Sequence, residues 1–94
     1  MISNYFDNIS PPELSALIAG RIRAIRKRRK WSQELLAEKS GVSHGSIKRF
    51  ERTGEIAFTS LIKIAIALNC EKDIEQLFRD VPFVSIQEVI DGES

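Results

Sequence analysis

Residues Gln33 to Arg52, QELLAEKSGVSHGSIKRFER, constrain the fold of this chain more than any other stretch. They spell two short helices joined by a turn that glycine alone enters without strain. Ser32 offers a cap to the first of these helices, Trp31 a hydrophobic staple onto Leu36, and Glu34 a negative charge in the first turn, where the helix dipole favours it. Leu35, Leu36 and Ala37 give that helix an apolar stripe. Gly41 suits a left-handed turn, and Val42 plugs the corner after it. Ser43 then caps the second helix. At about 100° per residue, Ile47 and Phe50, with Glu51 beside them, fall on one side of that helix, and Gly45, Lys48, Arg49 and Arg52 fall on the other. One side packs and the opposite side is cationic.

The flanking sequence predicts three more helices. Ser10-Pro11-Pro12-Glu13 combines a cap, proline at the first helical position and glutamate at the third, and Leu14, Ile18, Ile22 and Ile25 follow at helical spacing. This helix should run to about Arg29, with Gly20 either a weak point or a place where another helix comes close. Thr59 is the expected cap of a fourth helix. Leu61, Ile62, Ile64, Ala65, Ile66 and Leu68 make it apolar nearly all round, which predicts a buried centre, and Asn69 should end it. Glu71 to Phe78 reads as a short fifth helix with Ile74, Leu77 and Phe78 turned inward. The expectation is one all-α domain over 1–94: an N-terminal arm at 1–10, a five-helix core at 11–79 with its motif at 33–52, and a C-terminal extension at 80–94. Ile2, Tyr5, Phe6 and Ile9 would make a short amphipathic helix in the arm. In the extension, Pro82 should break the fifth helix, and Ser85-Ile86-Gln87-Glu88 offers a capping box before Val89 and Ile90. Either segment covers the domain's own core or builds a dimer interface.

Charge is distributed unevenly. From Arg21 to Arg52 eleven Lys or Arg face three Glu, a net +8, whereas the remainder carries −7, leaving +1 for the chain. A basic segment coincident with the two-helix motif is the footprint expected for a polyanion, because non-specific affinity comes largely from neutralised phosphates. The acidic remainder should face away from it. No apolar run approaches the roughly 20 residues that span a bilayer, and no basic stretch with an apolar run and cleavage site opens the chain, so the expected location is cytoplasmic, with no membrane partner. A single Cys70 excludes an internal disulfide and is expected to pack in the core. His44 is the only histidine, so neither a metal cluster nor a cofactor is expected. Paired carboxylates in an apolar setting, a phosphate-cradling glycine loop and a base beside the cysteine are all missing, so no catalytic residue is assigned and an enzyme is not expected.

Residues 33–52 have the form of a DNA-reading helix-turn-helix and resemble the Cro-like and Xre-like repressor family. Ser32-Gln33 at the start of the first motif helix, Ala37 at the close crossing, Gly41 in the turn, Val42 after it, the spacing of Ile47 and Phe50, and Glu51 followed by Gly54 all match that pattern. Ser40, Gly45 and Arg52-Thr53 depart from it. The resemblance implies a lambda-repressor-like fold and a homodimer that represses transcription from a palindromic double-stranded DNA operator. It implies base or groove contacts from Ser43, His44, Gly45, Lys48 and Arg49, and phosphate contacts from Ser32, Gln33, Ser46 and Arg52. Arg49 leads, since a guanidinium can bridge two acceptors on guanine. Arg26 lies on the side of the first helix that the family uses to hold the recognition-helix Glu, here Glu51, in an internal ion pair. The wording Arg-Phe-Glu-Arg-Thr-Gly-Glu and the chain's size resemble HipB-like antitoxins, which implies autorepression and a HipA-like kinase toxin as partner. The alternatives are a stand-alone phage-type or restriction-controller repressor, and an adaptor that mainly binds protein. An adaptor needs no basic outer face on this helix.

Overall fold

The computed structural model describes residues 8–80, which form five helices and, among the described residues, no strand. Helix α1 spans Pro11–Arg28, α2 Gln33–Ser40, α3 His44–Thr53, α4 Phe58–Ala67 and α5 Glu71–Glu75. The arm residues Ile2, Tyr5 and Phe6, and the extension from Val81 with its second capping box, lie outside the described residues.

Local chemistry accounts for most boundaries. Ser10 Oγ accepts from the Glu13 N–H at 3.2 Å, and the Glu13 carboxylate accepts back from the Ser10 N–H, so the capping box is complete. Ser32 and Ser43 cap α2 and α3 by accepting from the N–H groups of Leu35 and Ser46. Gly41 ends α2 at φ 77°. Helices α1 and α4 close through a left-handed residue that is not glycine. After α1, Lys30 takes φ 61°, and the N–H groups of Lys30 and Trp31 donate to the carbonyls of Lys27 and Arg26. After α4, Asn69 also takes φ 61°, and the N–H groups of Asn69 and Cys70 donate to Ile66 and Ala65. Both are Schellman closures that satisfy the last carbonyls of their helices.

The core is one cluster of Ala19, Ile22, Leu36, Val42, Ile47, Phe50, Ile64 and Leu68, with Ile25, Trp31, Ala37, Ile56, Leu61, Ala67 and Cys70 against it. Helix α3 packs on both α1 and α2, α2 also on α4, and α4 on α5. The inward side of α1 is Ala19, Ile22 and Arg26 rather than a stripe beginning at Leu14. Leu14 and Ile18 are exposed, because α1 meets α3 through the small residue Ser15. A Cβ on Gly54, which closes α3 at φ 83°, would sit 2.8 Å from Ser15 backbone and side chain. The close approach is therefore at Gly54. Gly20 has open space around it, which leaves it a weak point and removes it as a crossing.

Three further expectations are corrected. Thr59 does not cap α4, which starts one residue before it at Phe58 with Ala57 at the cap and no side-chain bond. Helix α4 is not buried all round: Ile64, Ala65 and Leu68 are, but Ile66 and Phe58 are exposed, since α2 and α5 cover only part of its circumference. Helix α5 stops at Glu75, and Leu77 and Phe78 are exposed instead of turned inward. So short a helix has few full-turn bonds, and it runs out into turns closed by Leu77 N–H to Ile74 and Arg79 N–H to Gln76, with Phe78 at φ 59°.

Candidate nucleic-acid interface

Helix α3 carries two opposite surfaces. Its inner side is anchored by Ile47 and Phe50 and by a charged network one turn further on. Arg26 Nε donates to Glu51 Oε2 and Arg26 Nη2 to Glu51 Oε1, both at 2.8 Å, the parallel two-bond geometry that best suits guanidinium and carboxylate. Arg26 Nη1 donates to the Trp31 carbonyl at 2.7 Å, tying the network to the entrance of α2. Gln33 Nε2 donates to Glu51 Oε1 at 2.9 Å, and Arg23 Nε stands 4.0 Å from the same oxygen at the solvent edge. The Glu51 side chain is only 4% exposed, and no buried side-chain polar atom among the described residues lacks a partner. Burial pushes its pKa up, but the hydrogen bonds from Arg26 and Gln33 and the charges of Arg26 and Arg23 outweigh burial and hold the carboxyl below its ordinary range.

The network continues to the N-terminal end of α3. His44 Nε2 lies 3.4 Å from Gln33 Oε1, so Arg26, Glu51, Gln33 and His44 form one chain of polar contacts linking α1, α3 and α2. The Gln33 side chain, half-buried, thus bridges Glu51 and His44 along α3, while its backbone sits at the start of α2 beside Ser32.

The outer side is open. Gln33, Gly45, Lys48, Arg49 and Arg52 line one shallow depression, and nothing lies within 4 Å of a Cβ placed on Gly45. Lys48, Arg49 and Arg52 are exposed. Ser43 and Ser46 stand together at the N-terminus of α3, where the Ser43 hydroxyl donates to Ser46 Oγ at 2.8 Å. Arg49 has a partner the sequence reading missed: its Nη2 pairs with Glu55 beyond the Gly54 turn. Thr53 sets this up, since its hydroxyl donates to the Arg49 carbonyl at 2.7 Å and accepts from the Glu55 N–H at 3.1 Å. The signal was present as a hydroxyl residue next to a helix-ending glycine with an acid directly after it. Also unforeseen, Arg29 Nη2 donates to the Leu68 carbonyl at 2.8 Å, closing the end of α4, and the cations of Arg29 and Lys39 lie 5.2 and 5.1 Å from the Trp31 ring.

Outside this surface little is built for chemistry. Cys70 is half-buried against the core, where burial, helped by Asp73 and Glu71 and opposed by Arg29, pushes its thiol pKa up, the reverse of what a reactive cysteine needs. Among the described residues no group of three His, Cys, Asp or Glu could hold a metal ion, and no helix is long and apolar enough to cross a membrane.

A helix-turn-helix family model matches residues 22–74, from the middle of α1 into α5. No curated protein matches the chain.

Proposed function

The chain belongs to the helix-turn-helix family of the Xre/Cro type, a family of DNA-binding transcription regulators rather than enzymes, and from that premise we propose that α3 enters the major groove of a specific operator. The reading rests above all on the division of α3 into a locked inner side and an open cationic outer side gathered around one depression. In this lambda-repressor-like arrangement Ser43, His44, Gly45, Lys48 and Arg49 meet base edges or the groove, and Ser32, Gln33, Ser46 and Arg52 meet phosphates. Arg49 must exchange its Glu55 partner for guanine. Binding to duplex DNA should weaken steeply as salt is raised, in proportion to the phosphates neutralised. An affinity that is insensitive to salt would sink the reading.

The protein acts as a homodimeric repressor in this proposal, because two recognition helices must stand about 34 Å apart to enter successive major grooves. Leu77 and Phe78, 46% and 87% exposed, support an interface at the C-terminal side, where Phe83, Val84, Ile86, Val89 and Ile90 follow in the sequence. A chain ended at Asp80 should then sediment as a monomer at micromolar concentration, and a persistent dimer would move the interface elsewhere. The wording of residues 49–55 extends the proposal to an antitoxin that represses its own operon and binds a HipA-like kinase toxin. A kinase-like reading frame next to the gene supports that extension, and its absence removes it.

A further inference from the structure

The polar chain that ends at His44 carries information in the direction of its hydrogen bonds. An ionised carboxylate only accepts, and Glu51 is held ionised by three donors, two from Arg26 and one from Gln33. The atom of Gln33 facing it is therefore the amide nitrogen; the reverse orientation would set two oxygens against each other. This fixes the Gln33 carbonyl oxygen on the side of His44, 3.4 Å from Nε2. An oxygen there requires the hydrogen on Nε2. In a neutral imidazole the other nitrogen is then unprotonated and accepts.

The two ring nitrogens point in nearly opposite directions, so with Nε2 turned toward Gln33, Nδ1 is turned away from the network, and it makes no hydrogen bond among the described residues. His44 is the first residue of α3, next to Gly45, and Lys48 and Arg49 follow on the outer side. Lys and Arg side chains can only donate, which suits guanine and thymine edges and phosphates. An acceptor beside them has the opposite preference. In the major groove the donors are the exocyclic amino groups of adenine and cytosine.

We infer that Glu51, acting through Gln33, fixes His44 as the Nε2-protonated tautomer and so gives the recognition helix an acceptor that selects adenine or cytosine on the strand His44 meets. The inference rests on α3 being the DNA-facing helix. Gln33 and Glu51 are positioning residues in this scheme, and His44 is the specificity-determining one. A single uncharged hydrogen bond supports a discrimination of about three- to ten-fold over guanine or thymine at that position.

The test has two arms, both on the full chain at about pH 8, where an ordinary imidazole is neutral. The first is nitrogen NMR on histidine-labelled protein without DNA, in which His44, as the only histidine, gives the only side-chain signals. The expected result is a hydrogen on Nε2 in the native chain and a larger Nδ1-protonated share in Gln33→Ala. A hydrogen on Nδ1 in the native chain overturns the inference without reference to DNA or to the folding of any variant, as does an unchanged tautomer in a folded Gln33→Ala. The second arm is selection from a random duplex library by the native chain and by His44→Ala. One position should favour adenine or cytosine in the native sites and fall to within about two-fold among the four bases in His44→Ala. Guanine or thymine at that position overturns the inference while the DNA reading stands. No selected site at all overturns the DNA reading and this inference with it.

Discussion

Helix α3 contributes to two arginine–glutamate pairs from opposite sides, Glu51 to one and Arg49 to the other, and they do different things. Arg26 and Glu51 have side chains 8% and 4% exposed, meet through two bonds, and receive further donors from Gln33 and support from Arg23. Arg49 and Glu55 are each 64% exposed and meet through one nitrogen. Burial decides the contrast. In the inner pair water has been replaced by a complete set of protein partners, so losing one partner strands a charge in a poorly solvated site. In the outer pair water stands ready to replace either partner, so the bond contributes little to the fold and is easily exchanged for another. The same two residue types serve as a fixed brace on one side of the helix and as a releasable hold on a proposed reading residue on the other.

Breaking the brace should have the largest effect. Glu51→Ala leaves Arg26 buried without its carboxylate and should lower unfolding stability by about 3 kcal/mol or more, a fall in Tm of at least roughly 12 °C for a domain of this size. Urea and thermal unfolding of the native and variant chains measure this directly, and an unchanged Tm would remove the distinction between the two pairs.

The inner junction also depends on how closely α3 lies against α1. Gly54→Ala should cost about 3 kcal/mol, combining the positive φ with a Cβ pressed to 2.8 Å on Ser15, whereas Gly41→Ala, with the same sign of φ but open space, should cost about 1 kcal/mol. Equal Tm losses would mean that the α1–α3 contact yields more easily than its geometry implies.

Acid sharpens the comparison further. Because the folded-state pKa of Glu51 is lowered, its ionisation adds stability above the ordinary carboxylate range, and that contribution is lost as pH falls through the folded value. The stability gap between the native chain and Glu51→Gln should therefore narrow as the pH falls through and below the ordinary carboxylate range. A gap that stays constant across that range would indicate that the carboxylate's charge is not what the brace relies on.

Releasing the outer pair should have the smallest effect on the fold. Glu55→Ala should change stability by no more than about 0.5 kcal/mol in the same unfolding measurements. A loss near that of Glu51→Ala would erase the contrast.

The sequence made the motif legible because its signals are local: Ser32, Gly41 and Ser43 act within a few residues of themselves, and the inward placement of Ile47 and Phe50 follows from helical periodicity alone. It was less informative where a residue's role depends on what lies opposite. Leu14 and Ile18 fit the apolar spacing of α1 yet are exposed, because α3 meets α1 at Ser15 through Gly54 and a small residue carries no hydrophobic signal. Arg26 completes the inward stripe of α1 although its charge speaks against burial, and it was the family resemblance, not helical spacing, that pointed to its partner Glu51, 25 residues away. Leu77 and Phe78 look like core residues because inward and outward apolar residues have the same composition. Glu55 was overlooked since a pair closing across a glycine turn follows neither helical nor strand spacing. The polar chain from Arg26 through Glu51 and Gln33 to His44 crosses three helices, and its course could be seen only once they were packed.

If α3 is braced from within so that its outer face reads DNA, the affinity of Arg49→Ala compared with the native chain on a selected operator and on random duplex at one salt concentration will show it. Arg49 takes no part in the inner network, so its loss should leave the fold intact. Operator binding should weaken by about 1 to 3 kcal/mol, roughly five- to 150-fold, with preference flattened at one base position, while random duplex loses far less. Equal losses on the two DNAs would show Arg49 holding only phosphate, and would contradict the account of that face as one that reads bases.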